Sequence, residues 1–299
     1  MAKKTLTIFT PAYNRAHTMG RTYNSLCRQT CKDFEWLVID DGSTDNTRQL
    51  VEGWMKEGII PIRYIYQENQ GMHGAHNTAY KNIHTELNTC IDSDDWMPDD
   101  AVEKIISFWK KYGSNKVAGI IGLDITGSGQ IIGSSFSKSS LMVHYTDSMI
   151  VGDKKLVIRS ELTSHYPEYP LFKGEKYVGL GYKYQLIDQD YKWLTLNEPL
   201  VVVDYQEDGS SYNMYKQWWN NPQGFAFIHN NDLKYVKSPL RKLQVAMHYV
   251  SHCIRSKSFG KICKSNSPLL TTICFFPGLL LFLYTGYKVK TKALLKQVK

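Results

Sequence analysis

The first 125 residues alternate between short apolar runs and stretches of helical periodicity, and this alternation constrains the fold more than any other feature. The strand-like runs are TLTIF (5–9), EWLVID (35–40), IRYIYQ (62–67), NTCID (88–92) and VAGIIGLDI (117–125), with helical patterns over roughly 17–30, 46–57, 74–85 and 99–112. Strands that read as continuous apolar runs are buried on both faces. Alternation with helices therefore predicts an α/β fold, a mostly parallel central sheet with helices on both faces.

In such sheets ligands sit beyond the carboxyl ends of the strands. That rule selects TPAYN after the first strand, DDGSTD after the second and DSDD after the fourth. Residues 126–232 are less regular, loosened by Gly127, Gly129 and Gly133, and carry two strand-and-turn segments at 151–162 and 196–213. They read as the second half of the same domain, so the expected division is 1–232, with halves 1–125 and 126–232, followed by a region 233–299.

Charge separates that last region. Thirteen of the 36 Lys and Arg but none of the 28 Asp and Glu fall in 233–299, which leaves 1–232 with 23 basic and 28 acidic groups, a net of −5. Ser238-Pro239 supplies an N-cap and a first-turn proline, and Leu240, Leu243, Met247, Val250 and Ile254 form one stripe. This predicts an amphipathic basic helix, for membrane contact or for docking on the domain. Leu269–Tyr287 is an uncharged run of nineteen residues flanked by lysines on both sides and interrupted by Pro277-Gly278. A straight helix of that length would reach about 28 Å, close to a bilayer core. Basic clusters at both ends disfavour simple spanning, so a hairpin-like or in-plane segment on the cytoplasmic leaflet is expected first. Spanning comes second and a buried helix third. An apolar-rich basic tail beside such a run argues against a nucleic-acid partner. The six cysteines form no C-x-x-C pair, so reduced thiols are expected and a zinc site is not.

The stretch CIDSDDWMPDD places five carboxylates between Asp92 and Asp100. Asp99 and Asp100 open a helix and suit its dipole. Asp92, Asp94 and Asp95 lie beyond the reach of that explanation. In an extended strand Asp92 and Asp94 would project to one side about 6.6 Å apart along the chain. Close carboxylates repel unless a cation neutralises them, and oxygen-only ligands suit Mg²⁺ or Mn²⁺. Tyr13 could stack on a nucleobase or serve as a turn aromatic. Glycines at 71 and 74 before a helix starting near Ala75 could admit phosphate.

TIFTPAYNR, FEWLVIDDGSTDNT, NQGMHGAHNTAYKNI and CIDSDD, in this order and spacing, resemble the family 2 glycosyltransferases of the GT-A fold. A weaker likeness to the bacterial capsule and surface-polysaccharide branch continues through GEKYV, LNEPLVVVDYQEDGSS and NNPQGFAF. The resemblance implies inverting transfer of a sugar from a UDP-sugar to a hydroxyl of a glycan acceptor, expected to be lipid-linked, at the cytoplasmic face of the membrane. It implies that Pro11, Tyr13 and Asp41 hold the uracil, that Asn14 supports their loop, and that Gly71, His73 and Asn77 border the ribose and diphosphate. Asp92 and Asp94 match the family's DXD pattern: Asp92 near ribose and metal, Asp94 the main ligand of Mn²⁺ or Mg²⁺, Asp95 beside it. Many relatives carry an acid a few residues after a GEK[FY] segment as the base, and Leu180 stands there in this chain. Glu175 is the candidate that remains nearest, with Asp188, Asp190 and Asp153 as others. Two other classes stay open: a nucleotidyltransferase, which would release pyrophosphate, and a non-catalytic membrane adaptor that retains the fold.

Overall fold

The computed structural model describes residues 4–147, 150–204 and 214–297. The chain forms two compact units, residues 1–168 with 183–206, and residues 169–182 with 207–299. The division falls at 206, with an excursion at 169–182, where the sequence reading placed it at 232.

The first unit is built on one eight-stranded sheet. Its strands are β1 (Leu6–Ala12), β2 (Phe34–Asp40), β3 (Ile62–Tyr66), β4 (Leu87–Cys90), β5 (Val117–Thr126), β6 (Met142–Val143), β7 (Lys154–Arg159) and β8 (Lys192–Val203). They lie in the order β3-β2-β1-β4-β7-β5-β8-β6. β3, β2, β1 and β4 are mutually parallel, and β5 is parallel to β8. β7 runs antiparallel to both its neighbours, and β6 closes one edge antiparallel to β8. The helices are α1 (Met19–Cys27), α2 (Thr47–Glu57), α3 (Met72–Asn82), α4 (Ala101–Tyr112), α5 (Ser160–His165) and α6 (Gly181–Asp190).

Burial on both faces explains the continuous apolar strands: in β1 every residue but Pro11 is buried. Tyr23 of α1 stacks on Trp54 of α2 with centroids 4.4 Å apart, and both rings pack on Trp36 of β2. This aromatic wedge fixes α1 and α2 on one face. The parallel register brings the ends of β1, β2 and β4 to the same edge of the sheet, so the three loops selected from sequence share that edge.

The second unit is helical, with α7 (Met214–Asn220), α8 (Pro222–Tyr235), α9 (Pro239–Arg255), α10 (Pro268–Ile273) and α11 (Phe275–Gln297). Ser238 caps α9, its Oγ accepting from the Arg241 amide at 3.5 Å. The face that α9 buries is Val245, Ala246, Tyr249, Val250, Cys253 and Ile254, while Leu240 and Leu243 at the head of the expected stripe are exposed. α9 is thus the docking helix of this unit, packed between α8 and α11. The apolar run breaks at Cys274, not at Pro277-Gly278. Pro277 falls in the first turn of α11, where its missing N–H removes no helical bond. Gly278 is the close-approach point: a Cβ there would lie 2.5 Å from Val250 Cγ1 of α9. Among the described residues no helix is long and apolar enough to cross a membrane.

Candidate active site

Hydrogen bonds between loops knit the sheet edge together. Asn14 adopts a left-handed conformation, φ 54°, which asparagine tolerates better than most residues. Its backbone N–H donates to Ser43 Oγ at 2.9 Å, and its Oδ1 accepts from the Thr44 amide at 2.7 Å. The loop after β1 is therefore clamped to the loop after β2 through Asn14. Asp40 closes the β2 turn by accepting from the Ser43 amide at 2.8 Å. The carboxylate of Asp41, 3% exposed, reaches the segment before α3. It accepts from the Gln70 amide at 2.8 Å, the Gly71 amide at 2.8 Å and Gln67 Nε2 at 2.7 Å. Gly42, at φ 84°, permits this approach, because a Cβ would stand 2.8 Å from the Asn69 backbone nitrogen.

α3 begins at Met72, three residues earlier than expected, with Gly71 at φ 81° before it. His73 and Asn77 are buried on this helix, while the Tyr13 ring is half exposed. The structure thus draws the Pro11–Asn14, Asp41 and Gly71 segments into one connected set.

The aspartates differ from the extended geometry expected of them. β4 ends at Cys90, and Asp92–Asp95 is a turn closed by the Asp95 amide donating to the Asp92 carbonyl at 3.1 Å. The turn sends Asp95 inward, where its Oδ1 accepts from the Asp204 amide just after β8 at 3.0 Å. Burial, then the Asp92 charge, push the Asp95 carboxyl up to about 7. The same two causes, in the same order, raise Asp94. These acids are held at an energetic cost that a cation would relieve. Their oxygens do not converge on one point: among the described residues the single three-ligand cluster of that kind lies elsewhere, on histidines. Asp99 and Asp100 lie just before α4, Asp100 at its N-cap position, but neither caps it through its side chain. Asp99 accepts from Arg28 Nε, Asp100 pairs with Lys104, and the Val102 amide donates to Gln29 Oε1, each at 3.0 Å.

Sequence reasoning missed two charged residues here. Lys155 on β7 donates to the Cys90 carbonyl at 3.1 Å. Burial alone would lower its pKa, yet Asp124 and Asp92, with Asp95 contributing, hold it above the ordinary lysine value. Asp124 on β5 is buried, and its Oδ1 has no hydrogen-bond partner. A lone carboxylate inside the apolar run VAGIIGLDI was the available signal. Lys155 is thus a built-in counter-charge behind the aspartate turn.

The downstream acids are mostly committed. Asp188 accepts from the Tyr145 and Thr146 amides and the Thr146 hydroxyl, and Asp190 from the Tyr166 hydroxyl. Glu175, in the second unit, accepts from the Gln223 amide at 2.9 Å and the Gly224 amide at 2.8 Å. These are orphan donors of the first turn of α8, so Glu175 caps that helix with both oxygens and the geometry gives it a structural task. Replacing it with Gln puts an amide donor against a helix N–H. Glu175→Gln is expected to lower stability by about 1–2 kcal/mol in urea unfolding, while folded protein keeps its turnover. Lost turnover at an unchanged midpoint would instead restore Glu175 as the base.

The fold thus gathers a connected set of loops on a parallel sheet edge, ending in an acidic turn. Residues 7–162 match the family described as Glycosyl transferase family 2, and the chain belongs to that family. It is 33% identical over 114 residues to the glycosyltransferase GlyA of Streptococcus pneumoniae, covering 38% of this chain but 16% of that protein. It is 25% identical over 264 residues to the poly(ribitol-phosphate) beta-N-acetylglucosaminyltransferase TarP of Staphylococcus aureus, covering 83% of this chain and 77% of TarP. Among solved structures, TarS 1-349 of S. aureus in complex with UDP-GlcNAc superposes with TM-score 0.61 at 19% identity, covering 94% of this chain and 81% of that one. The mannosyltransferase PcManGT from Pyrobaculum calidifontis, in complex with GDP-Man and Mn²⁺, superposes with TM-score 0.58 at 16% identity, covering 98% and 84%. At these identities the structures speak for the fold.

Proposed function

We propose that the chain transfers a sugar from a UDP-sugar to a hydroxyl of a surface-glycan acceptor, with inversion. The observation that carries this reading is the Asn14–Ser43 and Asp41–Gly71 linkage, which sets the loops of β1 and β2 and the start of α3 around the acidic turn. The half-exposed Tyr13 ring beside Pro11 offers a stacking face for the base, with Asp41 shaping the floor. His73 and Asn77 border the ribose and diphosphate from α3. The complex of TarS with UDP-GlcNAc supports a UDP donor.

Asp92, Asp94 and Asp95 offer oxygen ligands in an electrostatically strained turn, a chemistry that fits Mn²⁺ or Mg²⁺ held mainly by Asp94 and not by all three carboxylates converging on one point. When bound, the cation supplies charge neutralisation for the departing diphosphate. Lys155 holds Asp92 and Asp95 from behind. The attacking hydroxyl needs a base within hydrogen-bond reach. Of the acids named above, Asp153 takes that role in this proposal: it is exposed, and its charge acts on Asp124 and Lys155's neighbour Lys154. Incubation with a panel of UDP-sugars and Mn²⁺ or Mg²⁺, scored by UDP release, tests the whole reading. Pyrophosphate release would point to nucleotidyl transfer, and silence with every donor to a non-catalytic fold.

Protons compete with the cation. With the Asp95 carboxyl at about 7, the metal-free cluster gains protons as pH falls from about 8 to about 6, so Mn²⁺ affinity should drop roughly tenfold over that window. The unfolded carboxyl titrates near its ordinary value of 3.8, so between that value and 7 the metal-free fold binds the extra proton and is stabilised as pH falls. Calorimetric titration at the two pH values checks the affinity; a flat response would remove Asp95 from the site.

The second unit supplies the proposed anchor. Phe276, Leu280, Leu283 and Tyr287 repeat at four- and three-residue intervals along α11, and Leu269 and Ile273 are one turn apart on α10; all six are more than half exposed. Lys261, Lys264, Lys288 and Lys290 flank them. An exposed apolar stripe with a basic border suits an in-plane helix on an anionic cytoplasmic leaflet, next to a lipid-linked acceptor. Vesicles containing phosphatidylglycerol should sediment the full chain, and Leu280→Glu with Leu283→Glu should abolish this. Equal sedimentation of both proteins would end the anchor idea.

A further inference from the structure

The helical unit contains a second cluster that glycosyl transfer does not use. His229 lies on α8, and His248 and His252 lie one turn apart on the same face of α9. One ring nitrogen from each of the three lies within 4.8 Å of the others. His252 is 3% exposed. Its Nε2 has no hydrogen-bond partner, and neither ring nitrogen of the half-buried His229 has one. Asp232, three residues after His229, has its Oδ2 3.5 Å from His229 Nδ1. Apolar rings wall the cluster, Phe225 stacked on His252 at 5.3 Å and Trp218 edge-on to His248 at 4.8 Å.

Buried polar nitrogens without partners are costly, and several in one place call for a physical reason. Stacking satisfies the ring faces but leaves these nitrogens unanswered. A cation taking one nitrogen from each ring answers His252 Nε2 and one of the two His229 nitrogens, and Asp232 stands beside the other. We propose that His229, His248 and His252 bind one divalent transition cation of the Zn²⁺ class, which clamps α8 to α9. Three imidazoles select a borderline-soft ion over the Mg²⁺ or Mn²⁺ suited to carboxylates, so the two sites would sort their metals by ligand chemistry. Tetrahedral ligation at about 2.0–2.1 Å places ligand nitrogens about 3.3 Å apart. Rotation of the rings out of their stack would bring them there. Asp232 is set to orient His229 through Nδ1, leaving Nε2 for the metal. The sequence carries the signal as His248-x₃-His252, which a search centred on cysteines passes over.

The test uses the full-length protein stripped with chelator, then titrated with Co²⁺ and, separately, Zn²⁺. Wild type should take up one Co²⁺ with the intense visible bands of a tetrahedral nitrogen site, quench Trp218 emission, and release the Co²⁺ to Zn²⁺. Thermal midpoint should rise with Zn²⁺. His248→Gln and His252→Gln should each weaken uptake by at least about tenfold, while Asp94→Asn should leave these signals unchanged. Circular dichroism confirms folding, and the less buried His229→Gln serves if a α9 variant fails to fold. Uptake that survives the histidine substitutions, or disappears in Asp94→Asn, overturns the proposal. So does wild type that binds neither ion at stoichiometric concentration.

Discussion

Asp94→Asn is expected to lower UDP release from the preferred UDP-sugar by at least about a hundredfold, since even partners behind a metal ligand cost ten- to hundredfold when removed. The substitution is nearly isosteric and removes one charge from the turn Asp92–Asp95. Burial and the Asp92 charge already raise the Asp94 carboxyl, so its ionised form is a burden on the metal-free fold. The metal-free variant should therefore unfold at the same temperature as wild type or higher. Mn²⁺ should raise the wild-type midpoint and add little to the variant. Loss of activity together with equal or greater stability is the signature of a group kept for binding. Full turnover in Asp94→Asn would remove it from the metal site.

The parallel half of the sheet was legible because burial on both faces leaves apolar runs such as WLVI in β2. The loops at the ends of β1 and β2 were legible by position, because they follow the carboxyl ends of parallel strands. The aspartate turn was only half legible. Its composition raised the expectation of a cation site, but its shape depends on the Asp95 carboxylate meeting the Asp204 amide 109 residues away, and no local pattern encodes that. The antiparallel entry of β7 between β4 and β5 is similar, since a strand reads alike in either direction. Lys155 was hidden because its partners Asp124 and Asp92 lie on other strands. On α9 the stripe Leu240–Ile254 is one face covered over only part of its length: Val250 and Ile254 are buried, while Leu240 and Leu243 at its N-terminal end are exposed. Helical periodicity cannot separate apolar residues that meet a core from apolar residues that meet something else. Glu175 shows the converse difficulty: with Leu180 where the resemblance expects an acid, Glu175 was the nearest carboxylate in sequence, and the fold engages it in capping α8.

Asp41→Asn should be nearly as damaging as Asp94→Asn, by a different route. The buried Asp41 carboxylate takes three donors, two of them backbone amides of the segment leading into α3. Asparagine offers one oxygen and one NH₂. Whichever way its amide turns, a donor faces the Gly71 amide or the Gln70 and Gln67 pair, and at least one buried N–H loses its partner. Hydrogen bonds to a charged acceptor contribute about 1.5–3 kcal/mol each, and a stranded donor adds its own desolvation cost. A loss of about 3–5 kcal/mol is expected in denaturant unfolding, or a local opening of residues 67–71 that proteolysis would detect. Gly71 sets the start of α3, so His73 and Asn77 shift with it. The specificity constant should then fall more than about a hundredfold with every nucleotide sugar, uridine-based or not. That uniformity separates the loop role from base recognition, because a residue that only reads the base would lose its preference for uridine and keep its stability. If Asp41→Asn unfolds like wild type and merely accepts other bases, the carboxylate reads the nucleotide and does not hold the loop.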